Sequence, residues 1–282
     1  MLATKLISGS VIATAIILSI LWFKWAWLLM VIALSLIGTW ELARMLQGKG
    51  IRVSFMLPAA LNLLLLLGVY FLADLPAEQP DPQLRHTALS AWMHMYVVFA
   101  GLTLLLRNVF LKPRATLTEM SAPFFQLAWL GWFPAFFILI RTLPGGPFFL
   151  IWALTTVAFS DIGGYFAGKY LGKHPYFQHL SPNKTIEGAI GGILASVGIG
   201  WGLSAAFGSL LPMPLLHVVL LAAGMACVGQ IGDLIESMVK RDMDVKDSGT
   251  WLPGFGGLLD RIDSYLLLAP FLYYYLVSFV SA

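Results

Sequence analysis

The chain has 282 residues, of which 59% are hydrophobic and 11% charged, with a mean hydropathy of +0.83 and a net charge of +3. Soluble domains carry about 25% charged residues, so this composition excludes a water-soluble globule and leaves a polytopic membrane protein. A pI near 9.0 fits basic residues retained beside anionic lipid and gives no sign of nucleic-acid binding; the single Cys227 excludes an intrachain disulfide and a cysteine metal cluster.

A helix that crosses a bilayer needs about 20 apolar residues. Runs of that kind recur at 6–23, 25–43, 56–73, 91–111, 122–140, 148–168, 189–209, 214–234 and 264–282. They predict an all-α transmembrane bundle of about nine spans, or eight given how short the first two are. The first run has no small-residue cleavage pattern and leads straight into the second, so it reads as a retained helix and not as a signal peptide. Residues 1–147 are mostly Leu, Ile, Val, Trp and Phe with one acidic loop (Asp74, Glu78, Asp81), and are expected to form a scaffold. From 148 to 282 glycine becomes frequent inside the helices, as at Gly163, Gly164, Gly188, Gly191 and Gly192, which permits close helix approach where lipid supplies no hydrophobic drive. The polar residues concentrate in the same half, which is expected to be the catalytic region.

Basic residues of short loops stay on the cytoplasmic side. In the nine-span reading Lys5, Arg44, Lys49, Arg52, Arg107, Lys112, Arg114, Lys169, Lys173, Lys184, Lys240, Arg241, Lys246 and Arg261 share one side, against Lys24, Arg85 and Arg141 on the other. The expected location is the cytoplasmic (inner) membrane, with the polar segments 169–188 and 235–263 facing the cytoplasm and the C-terminus across the bilayer.

Asp161 falls deep in the sixth run, and an ionisable group there is costly unless it is paired or faces water. After that run, HLSPNKTIEGAIGG sets Ser181, Lys184 and Thr185 before a glycine-rich helix start, where free N–H groups attract an anion; helix capping by Thr185 accounts for the same string equally well. The segment 232–264 holds seven of the fourteen carboxylates (Asp233, Glu236, Asp242, Asp244, Asp247, Asp260, Asp263), interleaved with Lys240, Arg241, Lys246 and Arg261. Carboxylates are the ligands hard cations prefer, and Lys or Arg neutralise phosphate oxygens beyond the metal's reach. Asp233 and Glu236 share one helical face, which Lys240 extends, and Asp260 and Asp263 repeat the spacing at the start of the last helix. Two such pairs suit two cations about 4 Å apart, the arrangement of phosphoryl and nucleotidyl transfer. The five histidines show no metal-ligand spacing, and the phosphate-binding and nucleophile-elbow motifs are absent.

Taken in order, Ser237, Lys240, Arg241, Lys246, Asp247, Ser248, Pro253, Gly254, Gly256, Gly257, Asp260, Arg261 and Asp263 resemble the signature of the phosphatidate cytidylyltransferases, the CDP-diacylglycerol synthases. The resemblance extends to Asp161, Gly163 and Tyr165, to Ser181, Pro182, Lys184, Thr185 and Glu187, and to Gly232, Asp233 and Glu236, and so covers about the last 130 residues. Phe255 stands where the family has His, and a phenyl ring neither moves a proton nor binds a metal.

The resemblance implies transfer of the cytidylyl group of CTP to phosphatidic acid. It assigns Asp161, Asp233, Asp247, Asp260 and Asp263 to Mg²⁺, as one or two cations. Asp247, Lys240, Arg241 and Arg261 become catalytic residues, with Ser181, Lys184, Thr185, Ser237, Lys246 and Ser248 binding substrate phosphates. Partners expected on this reading are CTP, phosphatidic acid and membrane lipids, with a homodimer as the assembly and no nucleic acid. The rival readings are a CTP-dependent lipid or polyprenol kinase, an intramembrane transporter using Asp161, and a catalytically weak lipid-binding paralogue. The basic asymmetry generates the first prediction: a reporter inserted near Asp244 should score as cytoplasmic and one fused after Ala282 as extracytoplasmic. The same score for both would shift the span count by one.

Overall fold

Backbone N–H and C=O groups in hydrocarbon must be satisfied within the segment, and the apolar runs meet that demand as helices. The computed structural model describes residues 13–74, 82–110, 114–249 and 256–280, without the side chains of 82–86; Phe255, Pro253 and Gly254 lie outside the described residues. A helix over 13–21 (α1) is followed by α2 (Lys24–Gly48), α3 (Met56–Ala73), α4 (Pro82–Phe110), α5 (Leu117–Leu127), a π-helical turn over Ala128–Trp132, α6 (Phe133–Thr142), α7 (Gly146–Leu171), α8 (Ile186–Ala206), α9 (Leu215–Asp242), α10 (Leu259–Leu266) and α11 (Leu268–Phe279). Among the described residues eight helical stretches are long and apolar enough to cross a membrane, with α5–α6 and α10–α11 each counting as one. The chain is a multi-pass helical membrane protein.

Two compact units divide the chain: 1–142 with 243–259, and 143–242 with 260–282. In the first, Leu28, Leu42, Leu65, Leu66, Leu130, Phe136 and Ile138 form a fully buried core. The outer face of α4 instead exposes Val98, Leu102, Leu105, Leu106 and Val109, the mark of a helix solvated by lipid. Two polar devices fix this unit. Thr116 and Glu119 form a reciprocal capping box at the start of α5, and Glu119 also takes Arg52 Nε at 2.7 Å. That hydrogen bond raises the Arg52 pKa above its ordinary value. The π turn leaves the Leu130 carbonyl to accept from Ser35 Oγ on α2.

In the second unit α7 and α8 meet along glycines. A Cβ on Gly164 would stand 3.2 Å from the Gly188 carbonyl oxygen, one on Gly188 3.0 Å from that of Gly164, and one on Gly192 2.9 Å from that of Ser160. Side chains of any size would force the two backbones apart. Trp152, fully buried, ties the pair by donating Nε1–H to the Gly200 carbonyl at 3.0 Å, and Ser196 does the same toward Ala222 on α9 at 2.8 Å. The helix faces left by this packing, with Ile190, Leu194 and Trp201, are exposed apolar surface. Because the Gly192 neighbour is helix backbone and cannot rotate away, Gly192→Val should cost about 1–3 kcal/mol, the range for overpacking, read as a lowered thermal midpoint of the detergent-purified protein.

Candidate active site

The polar residues of the second unit gather on the facing parts of α7, α9 and α10 and on the α7–α8 connection. Glycine again sets the distance. A Cβ on Gly232 would lie 2.6 Å from the Asp263 carbonyl oxygen, so α10 rests directly on α9 at that residue. This contact delivers Asp263 to the face of α9 that carries Asp233 and Glu236. One carboxylate oxygen from each of the three lies within 4.8 Å of the others, a group able to hold a metal ion. Glu236 and Asp263 are buried at 2% and 8% exposure, and Glu236 Oε1 has no hydrogen-bond donor among the described residues. Three converging carboxylates, acceptors only when ionised, repel one another and leave that oxygen unsatisfied. A hard divalent cation resolves both problems, so the donor set fits one.

Two lysines supply the fixed positive charge. Lys240 Nζ lies 2.6 Å from Glu236 Oε2 and 2.7 Å from Asp260 Oδ1, joining the end of α9 to the start of α10. Lys184 Nζ lies 2.8 Å from Asp233 Oδ2. Its loop is pinned from several directions. Glu187 accepts from the Lys173 and His174 amides and from His174 Nδ1, and Tyr176 N–H reaches the Lys184 carbonyl at 3.1 Å. Burial, and secondarily the charge of Asp233, raise the Tyr176 pKa above that of an ordinary phenol. Arg241 Nε donates to the Leu180 carbonyl at 3.3 Å, tying the same loop to the end of α9.

The residues expected from sequence fall into three groups. Asp233, Asp263, Lys184 and Lys240 come together, and Asp161, an exposed side chain on α7, has Asp263, Asp233 and Lys184 as its charged neighbours. Others serve as local supports: Thr185 Oγ1 caps α8 by accepting from Gly188 N at 3.1 Å, Ser237 Oγ donates to Asp233 Oδ1 at 3.4 Å, and Asp260 engages Lys240 instead of joining the carboxylate triad. Ser181 is half-buried in the α7–α8 loop and Arg261 is exposed on α10. Lys246, Asp247 and Ser248 belong to the first unit; the first two are exposed, while buried Ser248 donates to Glu41 on α2. Glu236 completes the triad, although the ligand set implied by resemblance omits it; its spacing of three from Asp233 was the available signal. Glu41 was not singled out from spacing, and only its rarity in an apolar run marks it, while Glu187 was named through the resemblance alone.

Fold and site together define a membrane-embedded enzyme with a carboxylate–lysine centre among its helices. Residues 3–279 match the model of the cytidylyltransferase family, and the chain belongs to that family. It is a nucleotidyltransferase, as the signature residues led one to expect. Among curated relatives it is 39% identical over 183 residues to the phosphatidate cytidylyltransferase of Bacillus subtilis, covering 64% of this chain and 67% of that protein. It is 32% identical over 275 residues to the enzyme of that name from Staphylococcus aureus (strain COL), covering 93% and 95%, and 32% identical over 265 residues to that of Staphylococcus epidermidis, with the same coverage.

If the α9–α10 contact builds the cation site, a divalent cation at a hundred-fold excess over its Kd should stabilise the parent protein by about 2.7 kcal/mol. Gly232→Ala, which drives α10 off α9, should abolish that thermal shift.

Proposed function

We propose that the protein is a CTP:phosphatidate cytidylyltransferase, which makes CDP-diacylglycerol and pyrophosphate from CTP and phosphatidic acid at the cytoplasmic face of the bacterial inner membrane. The observation that carries the reading is the convergence of Asp233, Glu236 and Asp263 beside Lys184 and Lys240 in a chain of this family. Relatives that carry the enzyme's name over nearly their whole length support it. Catalysis is assigned to region 148–282, and the homodimer expected from sequence is part of the same proposal. The cytoplasmic placement is supported by the basic-residue asymmetry.

In the reaction an oxygen of the lipid phosphate attacks the α-phosphorus of CTP. That P–O bond forms as the bond from the α-phosphorus to the α–β bridging oxygen breaks, and pyrophosphate departs with the electron pair. A phosphomonoester is anionic at neutral pH, so no side chain need remove a proton. The chain's task is alignment and charge neutralisation. Mg²⁺ held by Asp233, Glu236 and Asp263, with Asp161 as a further ligand or support, would supply electrostatic stabilisation of the transferring phosphoryl group. Lys184, Arg241 and Arg261 are assigned to phosphate oxygens of the two substrates, and Lys240 to holding Glu236 and Asp260 in register while its charge faces the site. Lys246 and Ser248 take their phosphate-binding roles, and Asp247 its catalytic and metal-binding roles, from the resemblance alone.

The direct test supplies purified protein with α-labelled CTP, phosphatidic acid and Mg²⁺. CDP-diacylglycerol with pyrophosphate is the expected outcome, whereas CDP with a phosphorylated lipid would establish a kinase instead. Asp263→Asn should reduce turnover by about 10²–10³-fold, the scale of losing one positioned electrostatic element, and raising Mg²⁺ should recover part of the loss. Asp260→Asn, which acts through Lys240, should lose activity that extra Mg²⁺ does not restore. Identical Mg²⁺ responses in the two variants would remove the distinction drawn between these acids.

A further inference from the structure

The α7–α8 connection carries Lys184 on a short and strained turn. α7 stops at Leu171, and glycine sets the stop: a Cβ on Gly172 would stand 2.1 Å from the Gly168 carbonyl oxygen and 2.9 Å from Thr185 Oγ1. The two ends of the connection therefore run side by side, and they pair. Ile186 N–H donates to the His174 carbonyl at 2.9 Å and Tyr176 N–H to the Lys184 carbonyl at 3.1 Å, an isolated antiparallel bridge centred on Pro175 and Thr185. Past Tyr176 the chain turns through Phe177 at φ +52°, a left-handed conformation that bulky side chains rarely take. Such a conformation persists only where the surroundings over-determine it. The Phe177 carbonyl accepts from the Leu180 and Ser181 amides at 2.9 and 3.0 Å, and Lys184 N–H donates to the Ser181 carbonyl at 3.2 Å.

A bridge of two hydrogen bonds is a weak tie, and Glu187 reinforces it. Glu187 is the second residue of α8, with its side chain 24% exposed. Its Oε2 accepts from the Lys173 amide at 3.1 Å and from the His174 amide at 3.2 Å, while Oε1 pairs with His174 Nδ1. One carboxylate at the start of α8 thus holds the first residues that follow α7. The backbone beside it is fixed in turn, because a Cβ on Gly188 would stand 3.0 Å from the Gly164 carbonyl oxygen and 3.1 Å from Thr185 Oγ1. Glu187 is therefore anchored on the α7–α8 seam. Lys184, three residues before it, is placed by where this hairpin holds its backbone, and its Nζ lies 2.8 Å from Asp233 Oδ2.

We propose that Glu187 is a positioning residue for nucleotidyl transfer: its carboxylate clamps the two ends of the α7–α8 connection together and so holds Lys184 beside Asp233. The inference rests on the proposed function for its kinetic consequence and on geometry alone for the clamp.

The experiment compares full-length parent, Glu187→Ala and Glu187→Gln in nanodiscs. The readouts are amide hydrogen exchange at Lys173, His174 and Tyr176 and the kinetics of CTP with phosphatidic acid per folded protein. Ala removes both acceptor oxygens, whereas Gln keeps one oxygen for the two amides and an NH₂ that donates to a neutral imidazole. Glu187→Ala should speed exchange at Lys173 and His174 by about 10–100-fold, the scale of a hydrogen bond to a charged acceptor. Tyr176, whose N–H meets the Lys184 carbonyl and not Glu187, should exchange faster as well. In Glu187→Ala kcat should fall about 10²-fold, the scale of misplacing a group by about 1 Å, and Glu187→Gln should recover at least about ten-fold of that loss. In a Lys184→Met background Glu187→Ala should cost less than about two-fold more, because residues that act through one another are not additive. Three results overturn the proposal: equal losses in Glu187→Ala and Glu187→Gln, which would mark the charge itself as the requirement; full additivity with Lys184→Met; or a lowered thermal midpoint with parental kcat in folded molecules, the outcome for a purely structural Glu187. If Lys184→Met leaves no measurable rate, the two Glu187 variants decide alone: a fall in kcat that Gln recovers supports the clamp, and any other pattern overturns it. If Glu187→Ala does not fold, Glu187→Asp takes its place, where faster exchange with reduced kcat supports the clamp and parental values overturn it. Should the parent itself fail to turn over CTP, the functional reading falls, and exchange at Tyr176 still judges the clamp by whether protection is lost or kept.

Discussion

Charge buried among helices must be answered by charge or by hydrogen bonds, and the rest of this molecule follows from how each carboxylate finds its answer. Removing an ion from water costs several kcal/mol, and excellent geometry is needed to recover it. Glu236 and Asp260 share Lys240, Asp233 has Lys184, and Glu41 has two amides and a hydroxyl. Asp263 accepts from the Ser264 amide at 2.7 Å yet still faces Glu236 and Asp233, and Glu236 keeps one oxygen without a donor. Among the described residues the triad is where carboxylates face one another with an oxygen left without a donor. A group of carboxylates that could hold a metal ion is a place where such a deficit is tolerable, since full satisfaction by protein groups would leave an ion nothing to do.

The scaffold serves that arrangement through backbone proximity. In lipid no hydrophobic force draws helices together, so packing depends on how closely main chains can approach. Glycines at the α7–α8 seam and at Gly232 bring carbonyls within van der Waals range of the next helix, and the polar side chains then meet because their helices do. Trp152 adds an interhelical hydrogen bond at the α7–α8 seam, and Ser196 adds one from α8 to α9.

Much of this was legible in the sequence, for identifiable reasons. Spans could be read because twenty-residue apolar runs have one structural solution, and the placing of Asp233 beside Glu236 followed from helical spacing. Where the helices end was less legible. α9 runs on to Asp242 and α10 opens at Leu259, so much of what read as a polar loop is helix, since charge density masks helical continuation. Spacing also could not tell a ligand from a support. Asp260 and Asp263 are equivalent in sequence, and only the fold gives the first to Lys240 and the second to the triad. Glu41 was hidden by its surroundings: within the run 25–43 it reads as a tolerated exception, and its partners lie more than two hundred positions away.

The length of α9 bears on how a water-soluble nucleotide meets a lipid. Twenty-eight residues span about 42 Å at 1.5 Å per residue, against a hydrocarbon thickness of about 30 Å. Asp233 lies eighteen residues beyond Leu215, about 27 Å along the axis, so a helix that enters the hydrocarbon at Leu215 carries Asp233 close to its far edge. On the proposed function a diacyl substrate would reach the carboxylates by lateral diffusion with its chains still dissolved in the bilayer, and the nucleotide would arrive from the aqueous phase at the same depth. On that reading the enzyme would need neither to extract the lipid nor to draw a triphosphate into oil: the two phases meet where the helix outgrows the membrane.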